Sequence, residues 1–296
     1  MSDFKLDTDQ VRRNFSRAAV SYEDHDVLQR EVQDSLLARL DFYLQQPQRV
    51  IDIGAGTGRA AALLKQRYPT AEVIALDFAL PMLQRARQHS RWRRRFARVA
   101  ADAMHLPLPN DSVDVINSNL CVQWCDDLPR LFTEWVRVLK PGGYVALSSF
   151  GPDTLRELRA AWADSDHNSH VGRFLDMHDL GDAMLAAGLR EPVLDVSRYT
   201  LTYDEPGGLL RELKGLGATH ADSARPRGLT GKKHLQRMLR AYESMRADGR
   251  IPATWEVISA HAWGPQPGQP LRTPDGGEVA SFSIDNLRNS RPRKTP

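Results

Sequence analysis

The residues best suited to chemistry stand in one short run, Val50-Ile51-Asp52-Ile53-Gly54-Ala55-Gly56-Thr57-Gly58-Arg59, where an apolar strand breaks into glycines and a helix follows. Glycines at such a turn let the backbone bend sharply and let a ligand approach main-chain N–H groups with no Cβ in the way. The next apolar run, Val73-Ile74-Ala75-Leu76-Asp77, ends in an acid, which is placed to accept hydrogen bonds from ribose hydroxyls. A further acid stands in Ala101-Asp102-Ala103. Taken singly, Asp52 or Asp77 reads equally well as a strand end or a helix cap. Three acids at three successive strand ends, together with a glycine turn, argue against that reading and for a bound cofactor. The spacing also separates cofactors. A dinucleotide turn wants G-x-G-x-x-G, and here the third glycine arrives one residue early.

A scaffold must bring these positions together, and the hydrophobic pattern supplies one. Short β-like runs fall at Arg49 to Ile53, Glu72 to Asp77, Phe96 to Ala100, Val113 to Ser118 and Gly143 to Phe150. Helical stretches separate them at Arg59 to Tyr68, Pro81 to His89 and Leu128 to Leu139. Strands alternating with helices predict a parallel sheet covered on both faces. Ahead of them, residues 8–44 read as helical, with Val27, Leu28, Val32, Leu36, Leu37 and Leu40 at three- and four-residue steps. After them come helices at Thr154 to Trp162, Met177 to Ala187, Pro206 to Leu216 and Gly231 to Arg246, and strands at Val193 to Tyr203 and Thr254 to Trp263. The expected organisation is therefore an N-terminal helical segment (1–44) closing over the cofactor, an α/β domain (45–263) with cap insertions at about 151–190 and 204–250, and a flexible tail (264–296).

Composition narrows the partners. The 296 residues carry a net charge of +3, yet residues Arg85 to Arg98 alone hold seven arginines and no acid, which leaves −4 for the remainder. A charge so local does not describe a protein that coats nucleic acid. No apolar run approaches the ~18 residues of a membrane span, and the N-terminus lacks the apolar core of a signal peptide, so a cytoplasmic protein is expected. Cys121 and Cys125 are too few for a disulfide framework or a cysteine zinc site. They read as buried thiols, with a regulatory disulfide a distant second, and no metal is expected.

The D-x-G-x-G-x-G turn followed by a strand-end acid resembles the signature of class I S-adenosylmethionine-dependent methyltransferases. That resemblance implies a Rossmann-like, mostly parallel seven-stranded sheet with an antiparallel C-terminal strand, helices on both faces and a helical cap. It also implies a cofactor site built from Tyr22, Gln29, Asp52, Gly54, Gly56, Gly58, Asp77, Phe78, Asp102, Ala103 and Asn119. In that family the glycine turn lies against the methionine part, Asp77 matches the ribose acid and Asp102 the acid facing the adenine amine. More specific stretches are Val11 to Phe15, Tyr22 to Arg30, Ser118-Asn119-Leu120-Cys121-Val122-Gln123-Trp124-Cys125, Lys214-Gly215-Leu216-Gly217-Ala218-Thr219-His220 and Leu229-Thr230. These resemble the malonyl-carrier-protein O-methyltransferases of biotin synthesis, over most of residues 11–263.

The resemblance implies methyl transfer to the free carboxylate of a malonyl thioester. Such a carboxylate, with an ordinary pKa of about 4.3, is ionised by a factor of about 500 at pH 7 and needs no general base. Transfer annihilates a carboxylate and a sulfonium charge together, so a dry site with modest hydrogen bonding suits it better than an Arg or Lys clamp. The substrate set is accordingly Tyr22, Gln123, Trp124, Phe150, Lys214 and His220, with Tyr22, His25 and Gln29 on one helical face that closes over the cofactor. An acidic acyl carrier protein wants a basic face, offered by Lys232, Lys233, Arg237 and Arg240 on a cap helix; the arginine run reads as solvated surface. A monomer is expected. The competing readings are a methyltransferase for another carboxylate or a protein side chain, a relative adapted to respiratory-complex assembly, and a non-catalytic cofactor- or nucleic-acid-binding protein.

Overall fold

In the computed structural model the described residues are 5–90, 92, 94–166, 168–223, 225, 228 and 230–266, with two short strands at 271–272 and 278–279. Helices α1 (Thr8–Ala18) and α2 (Val27–Ala38) precede the sheet. Then follow β1 (Arg49–Ile53), α3 (Arg59–Arg67), β2 (Glu72–Asp77), α4 (Leu80–Ala86), β3 (Ala97–Ala100), β4 (Val113–Ser118), α5 (Leu128–Val138) and β5 (Leu139–Phe150). Helices α6 (Arg156–Ala163) and α7 (Met177–Ala186) lead to β6 (Arg190–Tyr203), and α8 (Pro206–Leu216) and α9 (Lys232–Glu243) lead to β7 (Ile251–Trp263).

Strands β1, β2 and β4 are apolar on both faces and almost wholly buried, which suits parallel strands sandwiched by helices. The seven strands run β3-β2-β1-β4-β5-β7-β6. The first five are parallel, and β7 is antiparallel to both β5 and β6, as expected of the C-terminal strand. β1 lies between β2 and β4, where the order reverses. The loops leaving β1 and β4 diverge there and open a crevice at the carboxyl ends of the strands.

One face packs Leu131, Phe132, Trp135, Leu180 and Met184 over Ile51, Ile116 and Val145; the other packs Leu36, Leu40 and Leu64 over Val50, Val73 and Tyr144. The expected cap therefore divides. Helix α7 contributes Leu180 and Met184 to the main core, because its apolar face meets α5 and β6. Helices α6, α8 and α9 instead cover a separate cluster containing Trp162, Leu213, Tyr242 and Trp255. That cluster rests on an arm: residues 251–256 of β7 pair only with β6, beyond the end of β5.

Two other differences have local causes. The N-terminal segment is not one helix. A 3-10 turn at Tyr22–Asp24 ends at His25, whose φ of −126° breaks the spiral before α2 begins. Strand β5 starts at Leu139, not Gly143, because Leu139 pairs with Val113 across an irregularity in the ladder, and pairing there outweighs the turn signal of Pro141 and Gly142. Arg91, Arg93, Leu229 and most of the 264–296 tail lie outside the described residues; within the tail, Leu271–Arg272 pairs with Glu278–Val279. Among the described residues no helix is long and apolar enough to cross a membrane.

Candidate active site

A cavity of ≈ 100 Å³ opens at the crevice. Gly54 and Gly56 floor it. Asp77 and Phe78 flank it from the end of β2, Asp102 and Ala103 from the loop after β3, and Asn119, Leu120 and Trp124 from the loop after β4. Tyr22 and Phe15 close it from the N-terminal segment. A smaller cavity of ≈ 30 Å³ shares Tyr22, Gly54, Gly56 and Asn119 and reaches Gln29 and Asp52. Of the expected cofactor residues, only Gly58 lines neither.

The three glycines have different physical reasons, although all have positive φ. A Cβ on Gly54 would fall 2.5 Å from the Cβ of Cys121, and one on Gly58 would fall 2.6 Å from that of Ala86. Those two positions are close approaches of backbone to a neighbouring element. A Cβ on Gly56 would meet nothing within 4 Å, so it would project into the space a ligand would use.

Asp77 is held by main-chain donors: its two carboxylate oxygens accept from the N–H of Gly56 at 2.9 Å and of Ala79 at 2.8 Å. Each oxygen keeps a lone pair for a further donor. Burial pushes its pKa up to about 6 against the lowering effect of those N–H groups. Asp52 is pushed up to about 7 by burial, with the amide of Asn117 donating to Oδ1 at 2.8 Å as the main opposing influence. Its Oδ2 has no donor among the described residues, and neither have the buried Oδ1 of Asn117 and Oε1 of Gln29. Buried acceptors without donors are costly, and a cationic N–H group in the smaller cavity, which Asp52 and Gln29 line, would satisfy those two. Burial, followed by the charges of Asp26 and Asp77, raises the pKa of Tyr22, so its phenol stays neutral.

The loop after β4 carries strain beside the site. Leu120 adopts φ +51°, a conformation that costs a branched residue of order 1–3 kcal/mol. Its N–H meets the carbonyl of Ser148 at 3.1 Å and the hydroxyl at 3.0 Å, and its carbonyl accepts from Gln123 Nε2 at 2.7 Å. Gln123 was expected at the acceptor carboxylate; its amide is instead spent on holding Leu120, and the side chain is buried away from the cavity. The Nδ2 of Asn119 donates to the Gln29 carbonyl at 3.0 Å, tying α2 to the end of β4.

Other expected substrate residues are also placed apart from the lining. Phe150 is packed against Trp255 and Phe174, at 5.0 and 5.8 Å between ring centroids. Lys214 is exposed on α8. Both ring nitrogens of His220 are buried with no partner among the described residues, and burial lowers its pKa. Tyr22, His25 and Gln29 do not share one helical face, because the chain breaks at His25. Tyr22 lines both cavities and Gln29 the smaller, while His25 packs over Gly215, where a Cβ would lie 2.0 Å from its ring. On α9, Lys232, Lys233 and Arg240 are exposed, and Arg237 donates to the Ser165 carbonyl at 3.2 Å.

Three features went unread in the sequence. Phe15 lines the cavity edge-on to Trp124, with centroids 5.2 Å apart and planes at 87°; its place within the quoted Val11 to Phe15 run was the available signal. Cys121 and Cys125, free thiols at the edge of the main core as expected, also line the cavity wall, and a hydrogen bond with Cys121 together with burial raises the pKa of the Cys125 thiol. The Lys214 to His220 stretch latches the N-terminal segment to the cap. Ser21 Oγ donates to the Gly215 carbonyl at 2.9 Å and Asn14 Nδ2 to Thr219 Oγ1 at 2.6 Å. A Cβ on Gly217 would lie 2.9 Å from the Asn14 carbonyl.

The glycine turn at a sheet switch point, with strand-end acids beside it, defines a class, and comparison with known proteins agrees. Residues 51–147 match the methyltransferase domain family. The fold is shared with an S-adenosylmethionine-dependent methyltransferase of Thermotoga maritima, 20% identical, with a TM-score of 0.51 over 86% of this chain and 99% of that one. The chain carries a methyltransferase domain on the fold shared with S-adenosylmethionine-dependent methyltransferases. Its relatives are closer still. The malonyl-[acyl-carrier protein] O-methyltransferase of Halorhodospira halophila is 49% identical over 288 residues, 97% of each chain. That of Xylella fastidiosa is 46% identical over 284 residues, 95% of this chain and 96% of the other. The chain belongs to the malonyl-[acyl-carrier protein] O-methyltransferase family.

Proposed function

We propose that this enzyme methylates the free carboxylate of malonyl-acyl carrier protein, giving the methyl ester that primes pimeloyl synthesis for biotin. The observation that supports this most strongly is identity of 44–49% to enzymes of that name across at least 90% of the chain, cap included.

S-adenosylmethionine, when bound, supplies an electrophilic methyl on a sulfonium. The chain's own groups are suited to hold it. Asp77 accepts from ribose hydroxyls with the lone pairs left by Gly56 and Ala79, Asp102 faces the adenine amine, and Phe78 covers the base. Asp52 and Gln29 take the ammonium end, where acceptors lack donors, and Gly56 leaves the space between. Tyr22 and Trp124 bound the acceptor side. No Lys, Arg or His stands among the described residues lining the larger cavity, so a carboxylate arriving there meets a neutral phenol and aromatic faces in place of a tight ion pair. That leaves it nucleophilic. Gln123 acts through Leu120 and is a positioning residue. The N-terminal segment excludes water by its latch to α8. The reading makes the enzyme a cytoplasmic monomer whose partner is an acidic carrier, with neither nucleic acid nor membrane involved.

The test is incubation with radiolabelled cofactor and a panel of malonyl, succinyl and glutaryl thioesters. Base-labile label on the malonyl thioester alone is expected. Label on none of them would overturn the proposal.

A further inference from the structure

A larger and more open cavity of ≈ 430 Å³ lies in the cap, and no role assigned above uses it. Its wall is polar: Asp166 and His170 come from the loop between α6 and α7, Arg225 and Thr230 from the segment ahead of α9, and His234 from the first turn of α9. We infer that this cavity binds the phosphate of the pantetheine arm that carries the malonyl group, an inference that rests on the thioester reading above.

Three observations support an anion of this kind. The first is the donor set. Arg225, His170 and His234 line the cavity, and Lys232 and Lys233 are exposed at the start of the same helix. The N-cap of α9 is Gly231, which has no side chain to take the first N–H groups. Such a helix start, joined to cationic side chains, favours a tetrahedral oxyanion with several acceptor directions.

The second is how the one acid among the described residues of the wall is used. Asp166 accepts from His170 Nε2 at 2.9 Å and from the Asn168 N–H at 2.9 Å, with His234 Nδ1 at 3.7 Å. His170 is also stacked on Trp162, 3.7 Å between centroids and 11° between planes. The carboxylate therefore fixes the imidazoles. Arg225 pairs not with it but with Asp7 at 3.3 Å.

The third is position. Arg225 Nη2 reaches Asp7 Oδ2 at 3.3 Å, and Asp7 caps α1 one residue before Thr8, which lines the methyl-transfer cavity. Arg225 of the one cavity is thus paired with the chain neighbour of a residue lining the other, which brings the two cavities near each other along the path an extended arm would follow.

The test compares wild type with His234→Gln and Lys233→Gln, both at exposed positions on α9, using malonyl-carrier protein, malonyl-coenzyme A and malonyl-pantetheine, which lacks the phosphate. Losing one phosphate contact should raise KM for both phosphate-bearing thioesters about tenfold, with KM for malonyl-pantetheine changed by no more than about twofold. Equal effects on all three, or none, would overturn the inference. An effect confined to the carrier-bound substrate would also overturn it, because the helix would then read the carrier's surface. Calorimetry with phosphopantetheine against pantetheine gives an answer independent of turnover: a preference for the phosphorylated form that both variants lose is expected, and equal affinities would contradict it. A wild type that binds phosphopantetheine yet methylates no thioester would fault the function reading and not this site.

Discussion

Gly54→Ala and Gly56→Ala separate packing from ligand binding within one turn. Both residues have left-handed φ, +72° and +53°, and a Cβ in that conformation costs roughly 1–2 kcal/mol. For a domain of this size that corresponds to a Tm fall of roughly 2–8 °C. Gly56→Ala should show that fall and little more, since its Cβ meets no protein atom within 4 Å. Gly54→Ala also drives a methyl to 2.5 Å from Cys121 Cβ, adding an overpacking cost of about 1–3 kcal/mol, so its Tm should drop about twice as far. Affinity should show a different order of effects when S-adenosylhomocysteine binding is followed by calorimetry. The Gly56→Ala methyl fills ligand space and should weaken binding tenfold or more, about 1.4 kcal/mol. Adding Cys121→Gly should restore part of the stability lost in Gly54→Ala and none of that lost in Gly56→Ala, which a double-mutant cycle reads directly. Wild-type affinity in Gly56→Ala would refute the placement of the cofactor over that glycine, and equal Tm losses would refute the close contact at Gly54.

Burial lifts Asp52 to about 7 and Asp77 to about 6, so in the ligand-free protein their contribution to stability is full below the ordinary carboxylate range and is lost as pH rises through about 6 to 7. The ligand's ammonium group wants Asp52 ionised and its ribose hydroxyls want Asp77 as an acceptor, so S-adenosylhomocysteine affinity should strengthen by several-fold between pH 5.5 and 7.5, and Asp52→Asn should bind more weakly with a flatter profile; a flat wild-type profile by calorimetry would contradict this. Asn14→Leu removes the donor to Thr219, and turnover should fall several-fold with a Tm change of about 1 kcal/mol equivalent or less, while proteolytic cutting near residues 19–26 speeds up; unchanged cutting would argue against the latch. Trp124→Ala removes the edge contact of Phe15, worth about 0.5–1.5 kcal/mol, and should lower kcat well before it lowers cofactor affinity; an equal loss of both would place Trp124 on the cofactor.

The parallel sheet was readable because β1, β2 and β4 are apolar on both faces, and the acids that line the crevice were readable because each stands at or just past the end of a strand. Asp77 and Asp102 needed no long-range information. Gln123 and Phe150 fall outside the cavity lining for the opposite reason. A polar residue after a strand end looks free until the left-handed Leu120 appears and claims its amide, and Phe150 looks available until β7 brings Trp255 beside it. The Tyr22, His25 and Gln29 spacing fits a helix that the chain does not form. The latch was not legible as such: Asn14 and Thr219 are 205 positions apart, and only the folded cap shows that Gly215 is small to make room for His25.

The most direct test of the whole account is heteronuclear NMR of the product formed from malonyl-acyl carrier protein and cofactor labelled with carbon-13 at the transferred methyl. A single ester methoxy resonance that disappears on mild alkaline hydrolysis is the predicted outcome, with none formed from acetyl-acyl carrier protein. Label appearing as N-methyl, S-methyl or C-methyl, or equally on the acetyl carrier, would contradict carboxyl methylation as the function of this site.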